Sequence, residues 1–176
     1  MTDIFITGSA QDKEIEELIK KRLVKSYTVT YVKNRNFSET GNGYNLIVFD
    51  CDKPEIEIKN AVLLMKENGI VPDNLPHDIT AIINSDNALQ LKAIQKSRIK
   101  TITCGMSNTS TISFSSETDD KLTVSLNRRI TALSGKVIEP LEIPVEKNKS
   151  ERYPLLCFAA LRLLLDDFDS ELGKLI

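Results

Sequence analysis

The periodicity of apolar positions changes several times along this chain, and each change marks an element. Asp3 to Thr7 reads as a short strand that ends at Gly8. Ser9 and Asp12 have the spacing of a capping box, and Ile15, Leu18, Ile19 and Leu23 then recur on one helical face. Tyr27 to Val32 alternates and is rich in β-branched residues, which predicts a strand. Lys33 to Gly43 is polar and reads as a loop, and Tyr44 to Phe49 is the continuous apolar run of a central parallel strand. Asp52 as N-cap and Glu55 at N3 predict a second helix, with Ile56, Ala61, Leu64 and Met65 on its buried side, stopping at Gly69. Ile79 to Ile83 is again a strand, and it opens into Asn84-Ser85-Asp86-Asn87, with Asp86 placed to cap a helix carrying Leu89, Leu91 and Ile94. Lys100 to Cys104 returns as a strand. Beyond Gly105 the alternating runs Thr111–Ser116, Lys121–Leu126 and Lys136–Val145 predict an antiparallel meander, and Tyr153 to Phe168 an apolar closing helix.

Strands separated by helices of this length imply an α/β fold: a three-layer, mostly parallel Rossmann-like sheet with an antiparallel strand extension at one edge. At 176 residues and 41% hydrophobic content, residues 1–176 fit a single domain with a sizeable core. Net charge is −2, with 23 basic and 25 acidic residues dispersed along the chain, so neither a nucleic-acid nor a membrane partner is expected. No apolar stretch approaches the roughly 20 residues needed to span a bilayer, and Ile4-Phe5-Ile6 is too short for a secretory core. Cys51, Cys104 and Cys157 are widely spaced in apolar contexts, which predicts buried free thiols. The expected location is the cytoplasm.

The segment Ile79–Phe114 is the most specific part of the chain. Its order of apolar strand, Asn-x-Asp-Asn, helix, then Thr103-Cys104-Gly105 resembles the central ATP-binding domain of the Mur ligase family, enzymes that couple ATP to amino-acid addition in peptidoglycan building. Leu122 to Leu165 follows the same family order of antiparallel strands and a long helix. Met1 to Glu55 would match the family's phosphate-loop start, shortened. The family's N- and C-terminal domains have no counterpart here.

The resemblance makes Thr7, Gly8 and Ser9 the remnant of a phosphate loop. Such a loop needs a second glycine so that backbone N–H groups surround phosphate, then a lysine and a hydroxyl. Here Gln11 stands at the glycine position, Asp12 at the lysine and Lys13 at the hydroxyl. A carboxylate there repels a triphosphate, while a helix cap is an ordinary use for it. Asp50, at the end of Leu46–Phe49, is a candidate Mg²⁺ residue, with a turn beside an Asp52 N-cap as the alternative. The resemblance gives Asn84 a role in holding an adenine ring, and a strand-end turn needs no ligand at all. His77 sits in a Pro-rich polar segment that reads as a surface loop. The interval from Gly69 to Ile79 lacks the family's Asp-His segment and its carbamylated lysine, and 146–150 replaces the histidine-bearing turn. These losses predict a non-catalytic relative that binds a partner protein or a small ligand, with no cofactor expected and a role near peptidoglycan synthesis implied by the resemblance. Two other readings remain: an ATP- and Mg²⁺-dependent enzyme or half-enzyme completed by a partner chain, with Lys13 replacing the loop lysine, and an oligomeric assembly subunit.

Overall fold

The computed structural model describes residues 2–34, 36–52, 54–146 and 152–167. Its frame is a mixed sheet of ten strands: β1 (Thr2–Thr7), β2 (Tyr27–Lys33), β3 (Asn36–Thr40), β4 (Tyr44–Cys51), β5 (Val62–Met65), β6 (Thr80–Asn84), β7 (Lys100–Cys104), β8 (Ile112–Glu117), β9 (Lys121–Leu126) and β12 (Leu141–Glu146). The short pair β10 (Ile130–Thr131) and β11 (Val137–Ile138) forms a separate ribbon. Across the main sheet the order is β12-β9-β8-β7-β6-β5-β1-β4-β2-β3. The strands from β2 to β8 are parallel in that row, while β9 and β12 extend it antiparallel at one edge and β3 does so at the other.

Strand alternation sends side chains to two separate cores. Ile4, Ile6, Leu46, Val48, Val62, Leu64, Ile82 and Ile102 join the core shared with helices α1 (Glu14–Arg22) and α3 (Arg152–Leu164). Phe5, Leu63, Met65, Ala81 and Ile83 point to the other face, where helix α2 (Ala88–Lys96) contributes Ile94. Three layers follow, as the pattern predicts. In α1, acidic residues fill the first turn and Lys20, Lys21 and Arg22 the last, which suits the helix dipole. Buried Ala159 and Ala160 belong to the α3 surface that meets β6, β7 and β8.

Several expected elements differ. Among the described residues no helix lies in the expected interval from Asp52 to Gly69. The run Ala61-Val62-Leu63-Leu64-Met65 is buried along its whole length, and Val62–Met65 within it forms β5, paired between β1 and β6. A strand flanked on both sides and covered on both faces needs apolar residues at every position, which an amphipathic helix does not. Asn60, with φ 60°, also breaks any helix there. The polar stretch read as a loop contains β3, whose five residues are all exposed, so an edge strand carried no apolar alternation. Ser9 does not cap α1. It accepts the Gln11 N–H at 3.3 Å in a turn of its own, and the helix begins at Glu14. For α2 the N-cap is Asn87 rather than Asp86: Asn87 Oδ1 accepts from Leu89 at 3.0 Å and Gln90 at 3.2 Å. The stretch 136–145 divides into β11 and β12. Residues 147–151 and the expected helix end at Phe168 lie outside the described residues.

Candidate functional site

From β1 the chain leads to β2 and β4 on one side, and from β5 it leads to β6 and β7 on the other. Ligands of open α/β sheets bind outside the carboxyl ends of the strands at such a reversal. The crevice between the ends of β1 and β5 is therefore the place to look, and it is filled by Lys66.

Lys66 is the first residue after β5. Its ammonium donates to Asp50 Oδ1 at 2.9 Å and to the Ser9 carbonyl at 3.0 Å, and its side chain is 1% exposed. Gly8, at φ 133°, makes room for the lysine stem. A Cβ there would lie 2.7 Å from Lys66 Cβ, so only glycine fits without displacement. Asp50, at the end of β4, accepts further bonds at Oδ2 from the Tyr31 hydroxyl at 2.7 Å and the Lys33 ammonium at 2.9 Å. Lys33 continues to Glu16 at 2.6 Å, and Glu16 meets Lys20 at 2.7 Å. Lys20 in turn lies 4.1 Å from the centre of the Tyr31 ring.

Burial pushes the Glu16 carboxyl upward, but bonds and charge from Lys20 and Lys33 outweigh it and hold the group down to about 2. Burial and the bond to Asp50 raise the Tyr31 hydroxyl far above its ordinary range. Burial alone would lower Lys33; its two carboxylate partners raise it. Glu16 and Lys33 therefore stay charged at neutral pH, and the network sets Glu16 against Lys20 and Lys33 and Asp50 against Lys33 and Lys66.

The turn behind Lys66 is held from below by Gln90, a buried polar residue of α2. Its Nε2 donates to the carbonyls of Lys66 at 2.9 Å, Glu67 at 3.1 Å and Gly69 at 3.0 Å, and its Oε1 accepts the Asn84 N–H at 2.9 Å. Asn87 adds a bond from Nδ2 to the Glu67 carbonyl at 3.1 Å, and the Tyr153 hydroxyl donates to the Met65 carbonyl at 2.6 Å. One turn is thus tied to β6, α2 and α3 together.

Asn84 lies at the end of β6, 4% exposed. Its Oδ1 accepts the Asp86 N–H at 2.9 Å, and Asp86 Oδ2 accepts the Met106 N–H at 2.9 Å. A Cβ at Gly105 would sit 2.1 Å from Ser85 Oγ, so a larger residue would have to displace that hydroxyl from the Cys104 carbonyl and Ser110 Oγ. A cavity of about 410 Å³ opens beside these residues, lined among others by Glu67, Asn84, Met106, Arg152 and Tyr153.

No protein-family model and no curated protein matches the sequence. Solved structures do match. A UDP-N-acetylmuramoyl-L-alanyl-D-glutamate–2,6-diaminopimelate ligase aligns with 100% of this chain and 45% of its own, at 15% identity and a TM-score of 0.55. A murein peptide ligase from Psychrobacter arcticus 273-4 aligns with 93% of this chain and 44% of its own, at 12% identity and a TM-score of 0.53. The fold is Mur ligase-like. The chain spans less than half the length of either ligase, and at such identities the likeness concerns the fold.

On this Mur ligase-like frame the loop candidates Thr7, Gly8 and Ser9 come together with Asp50 around Lys66, while Asn84 faces the neighbouring cavity. Thr7 Oγ1 donates to the Asp52 carbonyl at 2.8 Å, an internal bond between two strand ends. His77 is exposed on the opposite face of the sheet from α1 and α3, beside the end of α2. Among the described residues no group of three or more His, Cys, Asp or Glu converges to hold a metal ion. Cys104 and Cys157 are buried free thiols and Cys51 is half-buried; burial pushes Cys157 up to about 12. Sequence reasoning missed Lys66 and Gln90. Lys66 is visible once Ala61–Met65 is read as a strand, because it then occupies a carboxyl end. Gln90 gave no signal, since one glutamine in a polar helix is ordinary. No helix of the described residues is long and apolar enough to cross a membrane.

Proposed function

We propose that this chain is a non-catalytic Mur ligase-like protein that acts by binding, at the carboxyl ends of its strands, a partner protein or a small ligand connected with peptidoglycan synthesis. The observation that carries this reading is the Lys66 ammonium in the crevice, committed to Asp50 and to the Ser9 carbonyl. A phosphate cradle presents backbone N–H donors to its ligand; here a loop carbonyl points at a resident cation instead. Asp50 is likewise a poor Mg²⁺ ligand, because a divalent cation would have to displace Lys33 or Lys66 from it. Of the candidate residues, Thr7, Gly8, Ser9 and Asp50 then serve the closed crevice.

A second reading rests on a specific feature, the 410 Å³ cavity beside Asn84. Its volume falls within the range of small-molecule sites, and a nucleotide entering there would restore the half-enzyme reading with ATP. Thermal melting with ATP, ADP and UDP-linked sugars, with and without Mg²⁺, separates the two. A ligand at 100 times its dissociation constant adds about 2.7 kcal/mol, about 5–11 °C for a domain of this size. The binding-only reading expects no shift with ATP and Mg²⁺ and no hydrolysis. A shift abolished by Asn84→Ala would install the second reading in its place.

A further inference from the structure

The connection from β5 to β6 leaves a groove on the α2 face. Residues 70–78 cross that face without forming a helix, because Pro72 and Pro76 interrupt the backbone and Asn74 takes φ 58°. The strap stands off from α2 and borders an open groove of about 780 Å³ against its last turn. A second cavity of about 570 Å³ shares residues 71–74 of the strap.

The floor of the larger cavity is apolar, with Val71, Leu75 and Ala93 beside the two prolines, and its rim carries His77, Lys96 and Arg98. Asp73 is the one carboxylate in the lining. Cations at a helix C-terminus are ordinary by themselves. What sets these apart is convergence: Lys96, Arg98 and His77 line one groove, and among the described residues no carboxylate pairs with Lys96 or Arg98, as is also true of other surface cations such as Lys92 and Arg128. An apolar pocket of a few hundred cubic ångströms with a few convergent polar groups has the build of a small-molecule site.

We infer that this groove binds a small organic anion, an apolar body that lies against Val71, Leu75 and Ala93 and carries one acidic group to Lys96, Arg98 and His77. The site lies on a different face from the β1/β5 crevice and does not depend on what that crevice binds.

The test is an NMR titration of the full chain with 8-anilinonaphthalene-1-sulfonate, which joins an apolar body to one sulfonate. Saturable shifts confined to amides of 71–77 and 93–98 are expected, weakened at least tenfold in Lys96→Glu/Arg98→Glu and weakened by raised salt. Both substitutions are at exposed positions, so the variant's melting temperature should match that of the unaltered protein. Uncharged N-phenyl-1-naphthylamine should bind at least tenfold more weakly. Shifts centred on Asn84 and Met106, shifts without saturation, equal binding of the uncharged probe, or unchanged affinity in the double variant would each overturn the inference.

Discussion

Breaking the Lys66–Asp50 pair tests whether the crevice is held shut by charge. The two side chains are 1% and 2% exposed, so removing either partner leaves the other without water to compensate. Breaking a buried pair costs about 3–5 kcal/mol when a charge is stranded. Asp50→Asn belongs in that range, because Lys66 would lose its anionic partner and keep only neutral acceptors, the Ser9 carbonyl and the new amide oxygen. Lys66→Met should cost less, about 2–3 kcal/mol, since Asp50 retains Tyr31 and Lys33. The double variant Asp50→Asn/Lys66→Met strands neither charge and should recover about 2 kcal/mol relative to the sum of the singles. Urea unfolding at pH 7 reads all three values. In melting temperature, Asp50→Asn should fall by about 6–20 °C. Costs that simply add, within about 0.5 kcal/mol, would refute the coupling and with it the idea that this pair closes the crevice.

Three further perturbations probe the same frame. Gln90→Leu removes the donor shared by three carbonyls and the acceptor of the Asn84 N–H, and should cost about 2–4 kcal/mol in urea unfolding. Gly8→Ala places a methyl 2.7 Å from Lys66 Cβ at φ 133° and should cost about 2 kcal/mol; a neutral result would mean that the Lys66 stem is not fixed. Glu16 ionises in the folded protein at about 2, against 4.5 in the ordinary state. Its contribution is therefore fully present above about pH 4.5 and lost as pH falls toward 2. The melting-temperature gap between the native chain and Glu16→Gln should accordingly narrow steadily from pH 5 down to about pH 2, and a gap constant with pH would sink that assignment.

Most of the sheet was legible because its central strands are apolar without interruption and its helices keep a helical period. The sheet's two least legible strands failed for opposite reasons. β3 is exposed along its length, so no alternation marked it; β5 is buried along its length, and its four residues merged with preceding polar positions into an apparent amphipathic helix. The second error hid the site. With Asp52 to Gly69 read as a helix, Lys66 was one polar residue near its end, whereas as the residue after a central strand it points into the crevice. Gln90 was illegible for another reason: Leu89 looked like the buried residue of α2 but is 76% exposed, and the glutamine beside it is 1% exposed. A helix that buries an amide to hold a turn breaks the hydrophobic rule from which helix faces are read.

On the proposed reading, two differences from a phosphate-binding loop fit together physically. Asp12 occupies the position where a cation is expected, and an ammonium returns to the crevice from the neighbouring strand as Lys66. Position alone does not make the replacement equivalent. A loop lysine awaiting phosphate has protons to offer, whereas Lys66 donates to a carboxylate and to a carbonyl in a space closed to water. A phosphate entering beside it would meet Asp50 at short range. At 4 Å each pair of like charges costs about 1 kcal/mol in water and about 4 kcal/mol at an effective dielectric of 20. The lysine's attraction would then be divided between two anions instead of given to one. That is why the identity of the residue after β5, rather than the glycine after β1, decides what this end of the sheet can hold on that reading.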